Sequence, residues 1–418
     1  MLNQNNEFTE NRIKFDQNVL ISKVLCLLIT NMKKFLLFVV LVLLCLPVYA
    51  TTVKKLYEVS VPVFTQSDNE RKEAVSQAFA ELLIRVTGRR NIALQSGVKE
   101  LIKTAPRYMR SFRYEQIEEK SQPEAEPGLQ EDLVVDAENQ ESGQLIDPLA
   151  NQPKAEKPKP NQYLVVSFDK QAVKNVLWKN KLPVWGETRP STLLWIAIQD
   201  AEQRNLMDVS EPGPMLEYLS KQANKRGLPL VYPLLDLEDQ MNLNVTDVWG
   251  GFKDHINNAS ARYQTEAVVS ARLSLNSSGI WQSRWSLYQG NDESSWQINA
   301  VDLESAVAYG LDNIADKLAE RYAHVSTSSD ENAALIYISD VNNLSDYEKI
   351  NDYLSSLSAI KNVELRQVQA NELVYRLELR SNKKVLKQAI SLGKVLLTQE
   401  DPFAISLDEE RFNYRLMQ

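Results

Sequence analysis

Apolar residues recur along this chain with two periods, and the switches between them lay out its elements. From Lys55 to Phe64 apolar and polar positions alternate, the period of a strand with one buried face. In Asn69 to Val86 the spacing changes: Val75, Ala78, Phe79, Leu82, Leu83 and Val86 form one helical stripe, and Gly88 stands where a C-cap is expected. A short helix near Val98 to Lys103, an extended stretch from Arg107 to Glu115, a strand from Tyr163 to Phe168 and a helix from Lys170 to Lys179 follow.

The middle of the chain opens on a turn-rich joint, LPVWGETRP, and enters Leu193 to Ile198, a continuously apolar run of the kind buried on both faces of a sheet. A helix from Pro214 to Arg226 and a strand from Leu228 to Leu235 make a β-α-β unit, and a helix near Val248 to Tyr263 comes next. Three strands are predicted over Ala267 to Leu275, Ile280 to Tyr288 and Ser294 to Asn299. In the second, Trp281, Ser283, Trp285 and Leu287 share one face, and Gln282, Arg284 and Ser286 share a wet one. A long helix with Leu303, Val307, Leu311, Ile314 and Leu318 on its stripe closes this part.

From Asn332 the order is β-α-β-β-α-β: Leu335 to Val341, Ser345 to Leu357, Asn362 to Gln369, Leu373 to Arg380, Val385 to Leu392, and a last extended piece around Val395 to Leu397. Ser345 to Glu348 reads as a capping box. That order is ferredoxin-like. The expected fold class is therefore α+β, with mixed sheets in several small domains. Residues 51–181 form an N-terminal domain, 182–325 a mixed-sheet α/β domain, and 332–418 the ferredoxin-like domain.

Composition adds an address. Met32 to Ala50, MKKFLLFVVLVLLCLPVYA, has the charged, apolar and small-residue regions of a bacterial export signal, with cleavage expected after Ala50. The apolar run Phe35 to Leu46 falls short of the ~20 residues of a spanning helix, so no integral membrane span is expected after cleavage. Leu44 before Cys45 does not fit a lipoprotein signal. Residues 1–31 read as a leader upstream of a start at Met32, and the expected location is the periplasm. Both cysteines, Cys26 and Cys45, precede the cut, which removes thiol catalysis and cysteine metal sites from the mature chain.

Charge is local. The chain carries a net charge of -8, yet Glu115 to Pro160 alone holds 12 acidic and 4 basic residues, six prolines and no aromatic residue. The insertion at 115–161 is read as disordered, because it has too little apolar surface to offset its ordering entropy. The remainder is nearly neutral and carries no nucleic-acid footprint.

Candidate chemistry is sparse. No phosphate-cradling loop or dinucleotide fingerprint is present, no cofactor or metal is expected, and no catalytic residue is assigned. His255 and His324 are the only histidines, and Asp254 beside His255 points elsewhere on a helix. Asp236 and Glu238 could in principle serve as an acid-base pair, though carboxylates after a strand are ordinarily surface groups. The more specific signals lie at joints: RVTGRR at Arg85 to Arg90, LPVWGETRP at Leu182 to Pro190, and DVWGGF at Asp247 to Phe252. Tryptophan beside glycine packs over bare backbone in one reading. In the other, Trp185, Arg189, Trp249 and Phe252 present a partner-binding patch, since Trp and Arg anchor interfaces.

Together with YEVSVPVFTQSDNERKEAVSQAFAELLIRVTGRR and RGLPLVYPLLDLEDQMNLNVTDVWGGF, these motifs resemble the proteobacterial exported family called domain of unknown function 2066, over about Thr51 to Ala323. The resemblance implies an envelope protein of unassigned activity with no recognised catalytic residues. At the level of fold, the middle part resembles the periplasmic modules of the TolB N-terminal domain, CsgG and penicillin-binding-protein activators, and fold alone does not establish function. The leading expectation is a non-enzymatic envelope assembly or interaction factor with an envelope protein as partner. The alternative is a cell-wall hydrolase or small-ligand binder, which requires a deep pocket lined by carboxyls of raised pKa.

Overall fold

The computed structural model describes residues 53, 55–116, 160–200, 203–209, 213–326, 333–393, 395–399 and 412–417. The leader at 1–31, the signal at 32–50 and all but the ends of the insertion at 115–161 lie outside the described residues. The fold is α+β, with three sheets.

The first sheet holds β1 (Glu58–Val63), β2 (Met109–Gln116) and β3 (Gln162–Phe168), antiparallel in the order β1-β3-β2. Across it lies α1 (Asp68–Thr87), whose predicted stripe is fully buried against Val59, Val61, Leu164 and Val166. Each such side chain stabilises the fold by roughly 1.5–3 kcal/mol, which makes this stripe the main support of the sheet. The Ser67 hydroxyl accepts from Glu70 N and starts the helix; Gly88 at φ 70 ends it by donating to Ile84 O. Two more helices, α2 (Ser96–Lys103) and α3 (Lys170–Lys179), complete this part.

The second sheet runs β5-β4-β7-β8-β9, with the short β6 beside β4. Its strands are β4 (Thr192–Asp200), β5 (Gln203–Leu206), β6 (Leu230–Val231), β7 (Ala267–Leu275), β8 (Trp281–Gln289) and β9 (Asp292–Ala300). β4 is parallel to β6 and β7, whereas β5, β8 and β9 pair antiparallel. On one face α4 (Pro214–Arg226) and α8 (Leu303–Tyr322) cover Leu194, Ile196, Val269, Trp285 and Leu287. On the other, α6 (Val245–Gly250) and α7 (Lys253–Ser260) cover Leu193, Trp195, Ala197, Val268 and Tyr288.

Three local expectations change here. The strand expected over Leu228 to Leu235 shrinks to β6, because the chain leaves the sheet after Val231, turns at Leu235, which adopts φ 51, and enters α5 (Leu237–Asn242). The single helix expected near Val248 to Tyr263 is two helices: Gly251 at φ 71 stops α6, and the chain restarts at Lys253. β5 was not anticipated, since Gln203 to Leu206 has almost no apolar alternation and owes its strand to pairing with β4.

The third sheet carries β10 (Ala333–Ser339), β11 (Ile360–Gln369), β12 (Glu372–Leu379), β13 (Leu396–Thr398) and β14 (Phe412–Leu416), with helices α9 (Leu344–Ser356) and α10 (Lys383–Gly393). The order is β11-β12-β10-β14-β13. A ferredoxin-like sheet would set the strand after the second helix beside β10. Instead β14 pairs parallel with β10, and β13 is displaced to the edge, antiparallel to β14. Phe412, Tyr414 and Leu416 alternate into the same core as Ile336 and Ile338, so the inserted strand adds three buried apolar side chains. The start of α9 also differs: Asn343, not Ser345, is the N-cap, and its side chain accepts from Asp346 N at 2.9 Å.

Candidate functional site

Where α1 and α4 end, three arginines converge. α4 ends, like α1, on a left-handed glycine, Gly227 at φ 65. The last carbonyls of both helices lack intrahelical partners. Arg189 supplies donors to them: its guanidinium donates to the carbonyls of Arg85, Arg226 and Gly227 at 2.8–2.9 Å and, within its own turn, to Gly186 and Trp185. It lies 4.0 Å from the Trp185 ring centroid. Arg85 donates to Glu58 O at 2.7 Å, and Arg226 to Gly88 O, Asp312 and Asp316. The negative ends of two helix dipoles hold the buried charges. Burial pulls Arg189 down to about 9, which leaves it protonated at neutral pH. A Cβ on Gly227 would stand 2.5 Å from Arg189 Nη1, so the node requires glycine there for space as well as for φ.

This corrects half of the proposed patch. Trp185 and Arg189 are each 1% exposed, and neither faces solvent. RVTGRR and LPVWGETRP instead tie the first sheet to the second: Trp185 N donates to Val86 O, and Arg90 bonds Asp316 and Asn313 on α8.

Trp249 and Phe252 lie elsewhere, on the second face of the middle sheet. Phe252 is 55% exposed, and Trp249 is half-buried. Arg204 of β5 lies 4.2 Å from the Trp249 ring centroid, and Arg272 of β7 donates to Trp249 O at 2.7 Å. The strand register puts Arg272 opposite Arg284 and Arg284 opposite Gln297. Gln297, with its amide oxygen turned toward Arg284, accepts from Nε at 3.1 Å. Burial, Arg284 and Arg204 together lower the pKa of Arg272. Among the described residues, none of the three arginines forms an ion pair. Among the described residues, the carboxylate at a strand position of this face is Glu293, 3.8 Å from Lys253.

Beside Phe252, His255 Nδ1 stands 2.8 Å from Asp247 Oδ1. Its partner is thus eight residues away, not the adjacent Asp254. Asp247 Oδ2 also accepts from Asn244 N at 2.8 Å, closing the cap of α6. Burial opposes its ionisation, but the Asn244 N–H and His255 outweigh it and hold its pKa below the usual carboxylate range. The dyad is a helix cap with an exposed imidazole attached. Asp236 likewise caps α5, accepting from Asp239 N, and Arg262 holds its pKa down to about 2. Glu238 joins the same arginine at 3.4 Å.

Two concavities are notable. A groove of about 340 Å³ runs between α1, α4 and α8, and its carboxylates are Glu81 and Asp312, the latter ion-paired to Arg226 at 2.7 Å. A cavity of about 30 Å³, room for one or two waters, is lined by Trp185, His324 and Ser358. The Trp185 Nε1 and His324 Nε2 atoms have no direct partner there, and burial lowers the pKa of His324. The carboxyls displaced from their ordinary range are Glu58, Glu70, Asp236, Asp247 and Asp302, all downward. Among the described residues, no group of three His, Cys, Asp or Glu side chains could hold a metal ion, and no helix is long and apolar enough to cross a membrane.

The sequence reading missed Arg204, Arg272 and Arg284. Part of the signal was present: Ser270, Arg272 and Ser274 interrupt the apolar strand at every second position, as Arg284 does in WQSRWSL. That these positions face one another follows only from the register.

Comparison with known proteins is limited. A family model described as Domain of unknown function (DUF8605) matches residues 50–186. No curated protein matches the chain. Among solved structures, the N-terminal domain of Thermus thermophilus Protein Y is 18% identical over 19% of this chain and 89% of that one, with a TM-score of 0.13. An uncharacterized protein is 11% identical over 32% of this chain and 98% of that one, also with a TM-score of 0.13. Over residues 50–186, which hold β1 through α3 and end inside the LPVWGETRP joint, the chain is similar to a family whose own function is unassigned.

Proposed function

We propose that this chain is an exported, non-enzymatic protein of the bacterial envelope that engages a protein partner through the Trp249 and Phe252 face of its middle sheet. One observation carries the reading: exposed Phe252 and half-buried Trp249 share a sheet face with three arginines that form no ion pair among the described residues. Tryptophan and arginine are the side chains that most often anchor interfaces. The export signal at Met32 to Ala50 and the motif resemblance to family 2066 support the envelope as its location. The hydrolase alternative asks for a carboxyl raised toward neutrality, whereas the carboxyls displaced among the described residues are all held downward by hydrogen bonds or arginines.

A photo-crosslinking residue at Phe252, tested in living cells, is expected to trap one adduct of discrete mass, and Trp249→Ala to abolish it while the melting temperature stays within a few degrees. No adduct at any growth condition would overturn the reading. N-terminal sequencing of the exported protein is expected to begin at Thr51, and a mature end upstream of Met32 would overturn the assigned signal.

A further inference from the structure

Resting on that reading, we infer that the partner is recognised through an acidic polypeptide segment laid across Arg204, Arg272 and Arg284. On adjacent antiparallel strands, directly opposed residues have Cβ atoms about 4.5–5.5 Å apart, and like charges there are destabilising. Arg272 and Arg284 occupy such a pair. In a fold that pairs buried Arg226 with Asp312 and Asp316, this like-charge pair is met only by the neutral acceptors Trp249 O and Gln297 and by no carboxylate among the described residues, the pattern of a site kept for function at a local cost.

The surroundings fit a carboxylate-bearing chain. Arg204 is backed on one side by the Trp249 ring and donates through Nε to Gln199 Oε1 at 3.3 Å; both contacts order its planar fork, and a bidentate carboxylate would dock on the edge formed by its two Nη atoms. Arg272 is anchored through Nη1 on Trp249 O. The strands that carry the three arginines are β5, β7 and β8, and with β4 between them they cover three strand spacings, or about 14 Å. That is wider than one small anion and matches several carboxylates along an extended peptide. Ser286, Ser295, Gln282 and Asn299 supply uncharged donors on the same face. The exposed Phe252 adds the apolar contact expected of a protein interface rather than of a free-phosphate site.

The test uses the purified full-length chain and a fluorescein-labelled decaglutamate peptide read by anisotropy. Binding is expected to weaken at least tenfold in Arg272→Gln/Arg284→Gln and to fall with salt, with the melting temperature unchanged and a decalysine peptide inert. Binding that survives the double substitution would overturn the inference. So would binding to phosphatidylglycerol vesicles or inorganic pyrophosphate in place of the peptide, which would make the row a lipid or phosphate site. Tighter decaglutamate binding after deletion of residues 117–159 would identify the chain's own acidic segment as the occupant and equally overturn an external one. The Phe252 adduct separates the two readings. An adduct insensitive to the arginine substitutions sinks the acidic segment alone, whereas the absence of any adduct sinks the interaction face itself.

Discussion

Two arginine triads in this molecule use the same side chain in opposite ways. Arg85, Arg189 and Arg226 meet where two helices end, and backbone carbonyls, joined at Arg226 by Asp312 and Asp316, receive them. Arg204, Arg272 and Arg284 stand on the outer face of a sheet, where the carbonyls are engaged in the ladder and Arg272 is met by the like charges of Arg284 and Arg204. The difference lies in what the backbone has left over. A helix C-terminus offers unpaired acceptors and a negative dipole end, whereas a paired strand offers neither. The first triad is therefore a closed structural joint, and the second is open to a ligand.

The largest effect is expected from breaking the closed triad. Arg189→Ala leaves five carbonyls without their donor and should destabilise the fold by about 4 kcal/mol, seen in thermal unfolding by circular dichroism. Arg189→Lys should rescue little, because one ammonium cannot reproduce a planar fork. A melting point near that of the parent protein in either variant would show that the joint is not held by this residue.

Lys174 sharpens the contrast, being a buried cation that no carbonyl receives among the described residues. Burial, with Lys170 and Arg380 adding repulsion against the attraction of Glu187, lowers it to about 8. Between about pH 8 and the ordinary lysine value the unfolded chain binds the extra proton, so stability rises with pH across that window. Lys174→Met should accordingly stabilise the protein by about 2 kcal/mol at pH 7, and the gain should shrink as pH climbs toward 10. A gain independent of pH would point to packing instead.

The open triad should show the smaller effects. Trp249→Ala removes a half-buried ring and its stacked guanidinium, with an expected loss of about 1–2 kcal/mol in denaturant unfolding. Arg284→Gln relieves the like-charge pair and should leave stability unchanged or raise it by about 0.5 kcal/mol, more at low salt than at high. A clear loss of stability in Arg284→Gln would make the second triad structural, like the first.

Legibility of the chain followed how local each signal was. The stripe of α1, its Gly88 cap and the alternation of β8 were readable because helix and strand periods are written within single segments. The alternation of β14 is equally plain in Phe412, Tyr414 and Leu416, but it follows 13 residues, 399–411, without strong periodicity, so the sequence pattern ends at β13. Arg189 stands out by its residue type and its turn, but its burial is not written in either. Nothing in LPVWGETRP says that the carbonyls of Arg85 and Arg226, distant in sequence, will surround it.

By itself the sequence determined the α+β class, the amphipathic faces and the joints at which its unusual Trp, Gly and Arg residues stand. Tertiary structure decided which arginines are enclosed and which are open, and where β14 sits in its sheet. The physical reason is that hydrophobic period depends on neighbours three or four residues away. The fate of a guanidinium depends on acceptors and charges brought in by register and by helix ends, from residues up to 226 positions apart.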